Sequence, residues 1–368
     1  MGKILVISFS NLPNFQSNLY NTYKNIKDLG NEVYTIGSEK IRGTGINLEK
    51  NNYIYKLSEN PMPTLKSIKL MMNSLEEITK KIEEINPKYI HFISKHTWNY
   101  FLIKKIKKRL KNSQIIHSFH DPIGHTGEIR RYGVILYNKL IGQNVDSIIV
   151  HSDKSKMETE KYIKPKCNVY KIALGEMQWN EFVPNKEVKK NILVFGRINP
   201  YKGCDLIPYI AEELKKRNSD IKITIAGKTS KDLSEDVINK IQECENVKFI
   251  NKFIDDNELS NYFYESDMVL ITYRSITQSS VILQAYRHSK PIIAFNIDGI
   301  AEFLEESKTA LLSEPFNIEY YVDNILHLYD NLEELNKCSY EAWEFGKNNF
   351  SNGVMVKELL EIYKIGEK

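Results

Sequence analysis

The chain has only four cysteines, Cys167, Cys204, Cys244 and Cys338, with no CxxC pair and no histidine set beside any of them. That scatter argues against a zinc site or a disulfide framework, and it points to a reducing, cytoplasmic compartment. No stretch approaches the ~18 consecutive apolar residues that a membrane span needs. The opening MGKILVISFSN has an apolar core of only Ile4 to Phe9, interrupted by Ser8, and no small-residue cleavage site follows. It reads as a first β-strand rather than a signal peptide. No GxxxxGK[ST] occurs, which removes a P-loop NTPase, and there are no short-period repeats or low-complexity tracts.

What remains is an ordinary folded composition, 42% hydrophobic and 27% charged over 368 residues. That length suits two domains of roughly 180 residues each. The net charge of +4 is unevenly divided: residues 1–185 carry 28 Lys+Arg against 17 Asp+Glu, and residues 186–368 carry 23 against 30. The densest cationic segment is FLIKKIKKRLK, with Lys104, Lys105, Lys107, Lys108, Arg109 and Lys111, while Phe101, Leu102, Ile106 and Leu110 recur at helical spacing. Such a helix fits an anionic membrane surface, and a solvated face fits it equally well. Nucleic acid has only this charge run behind it and is set aside.

Strand-like runs alternate with amphipathic helices throughout. Strands are expected at 4–9, 32–36, 89–93, 114–118, 147–151 and 168–173, with a helix carrying Ile68, Met71, Leu75, Ile78, Ile82 and Ile85 on one stripe over 65–85. A polar stretch at 180–190 reads as an interdomain linker. The pattern then restarts, with strands expected at 191–195, 221–226, 247–250, 268–271, 291–294 and 310–312. Asp255 and Glu258 have the spacing of a capping box for a helix over 256–265. The implied architecture is α/β, two Rossmann-like halves on mostly parallel sheets. The first domain covers 1–180 and the second 190–349, with a C-terminal helix at about 350–368 packing back on the first.

The sharpest motif is NILVFGRINPYKGCD at 191–205. A buried strand followed by a turn and a helix faces the crevice where open α/β sheets bind ligands. There Gly196 permits a sharp turn, Arg197 offers a planar fork, Lys202 a compact charge, and Gly203 opens the next helix. Together these read as a phosphate cradle, although the fragment alone also fits a plain turn with two solvated cations.

With the IKITIAGK strand, VKFINKFIDDNELSNYFYESDMVLITY and SITQSSVILQAYRHSKPIIAFNIDGIAEFLEESKTALL following in order, the second half resembles the nucleotide-binding domain of the retaining GT-B glycosyltransferases, family 4 in particular. The resemblance is strongest over 190–315. In the first half, HSFHDPIGHTGE at 117–128 and DSIIVHSDK at 146–154 are also similar to segments of that family. It implies the GT-B fold, two Rossmann-like domains facing a central cleft, and transfer of a sugar from a nucleoside diphosphate donor to a hydroxyl acceptor with retention. It also implies no cofactor and usually no metal, and no Asp-x-Asp triplet stands in a suitable context. Arg197 and Lys202 then neutralise the departing diphosphate. The helix start at Thr277, Gln278, Ser279 and Ser280 adds backbone N–H donors, a plain N-cap being the other reading. Glu302 matches a position near the nucleotide, as a ribose ligand or as a cap.

The family usually carries two glutamates eight positions apart at this helix; Ile276 and Gln284 stand there instead. Gln284 keeps the capacity to bond a ribose hydroxyl, whereas Ile276 cannot replace a carboxylate. On the acceptor side, His120 is the candidate contact to the donor sugar, with Asp121, His125 and Glu128 near it, while His117 reads as a satisfied histidine inside a strand. The loop SNLPNFQSN lacks the family's paired glycines and offers Asn11 and Asn14 as polar contacts. The expected activity is a glycosyltransferase adding sugar to a cell-surface glycan or lipid-linked acceptor. A non-catalytic nucleotide- or glycan-binding subunit and a sugar-nucleotide epimerase of the same fold stay open.

Overall fold

The computed structural model of the chain describes residues 2–10, 13–39, 48–56, 65–124, 131–175, 179, 181–184, 187–217, 220–276 and 278–365. They fall into two compact units, Met1–Gly175 with Asn352–Lys368, and Glu176–Ser351.

The first unit runs β1 (Ile4–Ser8), α1 (Pro13–Asp28), β2 (Val33–Ser38), β3 (Asn52–Tyr55), α2 (Leu65–Ile85), β4 (Tyr89–Phe92), α3 (Thr97–Arg109), β5 (Gln114–Ser118), α4 (Arg131–Gly142), β6 (Ser147–Val150), α5 (Asp153–Glu158) and β7 (Asn168–Lys171). A π-helical turn, Thr159–Ile163, continues α5. The strands form one parallel sheet in the order β3-β2-β1-β4-β5-β6-β7. All five residues of β1 are buried, as a strand covered on both faces requires. Alternation sends Leu5 and Ile7 to a layer with Leu75, Ile78 and Ile82 of α2 and Leu102, Ile103 and Ile106 of α3. Ile4 and Val6 pack with Leu19, Tyr23 and Ile26 of α1 on the opposite face.

Part of the cationic face of α3 is ion-paired. Lys105 and Arg109 both bind Glu76 of α2 at 2.8 Å, Arg109 reaches Glu83 at 3.5 Å, and Lys107 reaches Asp146 at 3.6 Å. The Lys105 and Arg109 hydrogen bonds hold the Glu76 carboxyl down to about 2. Phe101 does not join the buried row of Leu102, Ile106 and Leu110: it lies one residue off that row and is 45% exposed.

The second unit runs β8 (Asn191–Phe195), α6 (Ile207–Arg217), β9 (Lys222–Ala226), α7 (Glu235–Glu243), β10 (Val247–Ile250), α8 (Asp256–Tyr264), β11 (Met268–Ile271), α9 (Ser280–Arg287), β12 (Ile292–Phe295), β13 (Ala310–Ser313), α10 (Ile318–Asp330) and α11 (Leu332–Phe350). Its parallel sheet has the order β10-β9-β8-β11-β12-β13. The buried Asp267 carboxylate anchors the start of β8, accepting from the Lys189 and Asn191 amides and from the Tyr329 hydroxyl. The capping box expected at α8 does not form. Asp255 occupies the N-cap without a side-chain bond, and the Glu258 carboxylate pairs with Lys252 at 2.6 Å instead of turning back to the Asp255 amide.

After α11 the chain re-enters the first unit as α12 (Asn352–Ile365). Met355, Val356, Leu359 and Tyr363 complete the layer around Ile4, Val6 and Tyr89. Tyr363 stacks on Tyr89 with centroids 5.3 Å apart, and its hydroxyl lies 2.8 Å from His91 Nδ1. Among the described residues no helix is long and apolar enough to cross a membrane.

Candidate functional site

In the second unit the sheet grows one way from β8 through β9 to β10, and the other way through β11 to β13. The switch point therefore lies between β8 and β11, where the carboxyl ends of two neighbouring strands diverge. β8 leaves the sheet at Gly196, whose φ is 97°. A Cβ there would stand 2.9 Å from Lys202 Nζ and 3.1 Å from Val281 Cγ2 in the first turn of α9. Glycine at this position is what lets the Lys202 ammonium lie between the end of β8 and the start of α9.

Lys202 is held from several sides. Asn199, itself buried, caps the one-turn 3-10 helix Pro200–Lys202 by accepting from the Lys202 amide at 3.3 Å. That turn ends at Gly203, φ 67°, where an added Cβ would fall 2.0 Å from the Thr272 carbonyl oxygen. Thr272 Oγ1 donates back to the Lys202 carbonyl at 2.6 Å, tying the loop to the end of β11. The half-buried ammonium stands 5.1 Å from the centroid of the Tyr273 ring. Burial pulls its pKa down, but the phenols of Tyr273 and Tyr201 outweigh that and the net shift is upward. Lys202 is therefore a fixed cation at neutral pH. Arg197, two residues after the end of β8, is exposed and has no ion-pair or hydrogen-bond partner among the described residues.

Ser279 sits at the N-cap of α9, but its hydroxyl makes no capping bond and lies 3.4 Å from the Tyr273 hydroxyl instead. The first-turn amides of α9 consequently have no Ser279 cap, at the end of the helix where the backbone dipole is positive. Ser280 is exposed, and the buried Gln278 Oε1 lacks a partner among the described residues. Gln284 is half-buried in the second turn, its carbonyl accepting from His288 Nδ1 at 2.8 Å. Ile276 is only 3% exposed, a core residue rather than a ligand. Beyond β12, Gly299 at φ 87° opens the one-turn helix Ile300–Glu302, so Glu302 follows the same carboxyl edge, half-buried.

In the first unit, His120 follows β5 and lies 2.9 Å through Nε2 from the Ile93 carbonyl, with Phe15 edge-on at 5.1 Å and His151 at 5.0 Å between centroids. The carbonyl can only accept, so Nε2 carries the proton in this contact. Asp121 follows it, half-buried, with its carbonyl turned to Asn138. His117 is the satisfied strand histidine: Asn99 Nδ2 donates to its Nε2 at 3.0 Å, its Nδ1 donates to the Ser118 carbonyl at 2.9 Å, and burial lowers its pKa to about 3. Asn11, His125, Glu128, Thr277 and the side chain of Asn14 lie outside the described residues.

Asn199, Thr272 and Tyr273 belong to the cradle and were not singled out from sequence. Thr272 and Tyr273 directly follow the buried MVLI strand, a position at the carboxyl edge, and that placement is the signal they carry.

A doubly wound sheet whose switch point holds a half-buried lysine, an exposed arginine and a helix start that Ser279 does not cap suits an anionic, phosphate-like ligand. The sequence profile described as "Glycosyl transferases group 1" matches residues 177–345. An uncharacterized 41.2 kDa protein from the cps region of Klebsiella pneumoniae is 25% identical over 304 residues, 76% of this chain and 77% of that one. The poly(ribitol-phosphate) alpha-N-acetylglucosaminyltransferase of Staphylococcus aureus is 24% identical over 228 residues, 60% of this chain but only 45% of its own length. Among solved structures, Anabaena HepE in complex with UDP-glucose superposes with a TM-score of 0.69 at 13% identity, covering 98% of this chain and 99% of that one. The second unit belongs to the group 1 glycosyl transferases, and the chain is a glycosyltransferase of GT-B fold.

Proposed function

We propose that this glycosyltransferase moves a sugar from a nucleoside diphosphate donor to a hydroxyl of a cell-surface glycan or lipid-linked acceptor, with retention of the anomeric configuration and without a metal ion. The observation that carries this reading is Lys202, held as a cation at the switch point beside the first turn of α9. Donor binding in HepE and the polymer acceptor in the S. aureus relative's name support the substrate classes.

In this reading the donor diphosphate lies against Lys202, Arg197 and the first-turn amides of α9. As the anomeric C–O bond breaks, two side-chain cations and a helix dipole stabilise the leaving diphosphate, the charge a divalent ion would otherwise supply. The acceptor hydroxyl attacks on the face the diphosphate leaves, through an oxocarbenium-like state, and its proton passes to the departing phosphate oxygen. No enzymic nucleophile is needed. Gln284 and Glu302 bond the ribose, and His120 Nδ1 bonds a donor-sugar hydroxyl. The enzyme works in the cytoplasm at the inner face of the membrane, where a lipid-linked acceptor would be met.

The test is donor turnover by Arg197→Ala and Lys202→Ala in the presence of EDTA. Each substitution is expected to lower kcat by about 10²- to 10³-fold, with wild-type activity unchanged by the chelator. Near wild-type rates in both variants would overturn the cradle, and loss of wild-type activity in EDTA would overturn metal independence.

A further inference from the structure

Helix α4 carries an apolar outward face. Tyr132, Leu136 and Leu140 are 85%, 61% and 42% exposed. At steps of four residues they form one stripe, with exposed Lys139 alongside and no carboxylate anywhere in the helix. Neighbouring segments extend the face. Phe101, Lys104 and Lys108 point outward from α3 at helical spacing. The Tyr137 hydroxyl donates to the His96 carbonyl at 2.9 Å, with Lys95 Nζ 5.1 Å from its ring centroid, so the end of α4 near Tyr137 sits against the start of α3. On the other flank, Lys166 N donates to the Gly142 carbonyl at 3.3 Å and Gln143 Nε2 to the Lys164 carbonyl at 3.0 Å, which brings two more lysines to the end of the stripe. Just before that flank, α5 and its π-helical turn expose Met157 and Tyr162, with Glu160 and Lys161 exposed between them.

Charge selects the occupant. From Lys95 to Asn144 the chain holds ten Lys and Arg against two carboxylates, Asp121 and Glu128; Lys105, Lys107 and Arg109 pair with Glu76, Glu83 and Asp146 outside that segment, which leaves seven cations to two carboxylates. An apolar helix stripe that carries no carboxylate of its own and is flanked by more cations than acids matches an anionic bilayer, which accepts Leu and Tyr between its headgroups and attracts the lysines around them. We infer that α4, and not the charge-paired helix α3, is the element that seats this enzyme on anionic lipid, through Tyr132, Leu136 and Leu140. The inference rests on the reading of a membrane-linked acceptor for its purpose, but vesicle binding is read with neither donor nor acceptor present, so either can fail alone.

The experiment is flotation of the full chain with vesicles of phosphatidylglycerol and phosphatidylcholine in equal parts, and with phosphatidylcholine alone. Binding is expected to the anionic vesicles and to weaken with salt. Leu136→Glu/Leu140→Glu should lower the bound fraction about tenfold or more at unchanged Tm, since both side chains are exposed in the fold. Tyr132→Trp, with its own binding intact, should shift its emission to the blue only on anionic vesicles. Wild-type binding by the double variant, or no binding by the wild type, would overturn the proposal. So would a concentration-dependent dimer that the double variant dissolves in the absence of any vesicle binding, because the stripe would then be a contact between copies of the chain.

Discussion

Gly196→Ala tests whether the geometry around Lys202 matters to turnover. The new Cβ would lie 2.9 Å from the ammonium, and an ordinary contact begins at 3.4 Å, so Nζ must retreat by at least half an ångström, and Val281 Cγ2, 3.1 Å from the same Cβ, must give by a few tenths. If that retreat carries Nζ from about 3 to about 4 Å from a phosphate oxygen, the pair loses roughly 1.4 kcal/mol at an effective dielectric of about 20, a tenfold fall in rate. The backbone adds its own cost, because a side chain at a left-handed position is strained by about 1–2 kcal/mol. For a unit of this size that corresponds to a Tm lower by roughly 3–6 °C. Initial rates with a saturating acceptor and thermal unfolding of the same samples read the two effects separately. The decisive comparison is a double-mutant cycle with Lys202→Met. If Gly196→Ala costs the same tenfold when the ammonium is already gone, its effect does not pass through Lys202 and the reasoning fails.

Two further substitutions address the interior of the second unit. Burial lowers Lys290 to a pKa of about 8 despite the Asp267 charge, so between pH 8 and its ordinary value the unfolded chain binds more protons and stability rises with pH. Lys290→Met should therefore be more stable than wild type at pH 7, by about 3 kcal/mol from the shift alone, and the gap should close towards pH 10; denaturant melts at both values check it, and a constant gap would contradict the assignment. Ile276→Glu introduces the carboxylate that the family resemblance implies at this position, but into a core position. We expect a loss of about 4 kcal/mol, smaller at pH 5 than at pH 8 because burial raises the new carboxyl's pKa, and a soluble variant of unchanged Tm would show that the position opens to ligand.

Much of the fold was legible because its strands are covered on both faces. Runs such as residues 4–7 and 192–195 are continuously apolar, and parallel strands buried in that way belong to sheets covered by helices on both faces. Strand β3 escaped because NYIY at the sheet edge is half-buried along its length and has no such run. The cradle cations could be read from Gly196-Arg197 and Lys202-Gly203, since the spacing after a strand fixes which edge they occupy. Their support could not: Thr272 and Tyr273 are 70 or more residues from Lys202 and meet it only through sheet order. The capping-box spacing misled because Lys252, six positions before Glu258, took its carboxylate, and the Ser279 hydroxyl lies near Tyr273, six positions before it, rather than on an α9 amide. The partial neutralisation of the cationic helix was hidden because Glu76, which pairs with Lys105 and Arg109, is on α2.

The return of α12 to the first unit sets an order of events in synthesis. The bond between His91 Nδ1 and the Tyr363 hydroxyl joins residues 272 positions apart, and the intervening chain includes the whole second unit. While a ribosome is still making that second unit, one face of the first sheet, including Ile4, Val6 and Tyr89, waits without Met355, Val356, Leu359 and Tyr363. The half made first is thus completed last, and its nascent form exposes an apolar sheet face for the time needed to translate about 180 further residues, an interval of roughly 10–35 s. A stop codon near residue 350 would leave the phosphate cradle intact in sequence and the other half without its cover, so the nascent first unit is where chaperone dependence and aggregation of truncated products should concentrate.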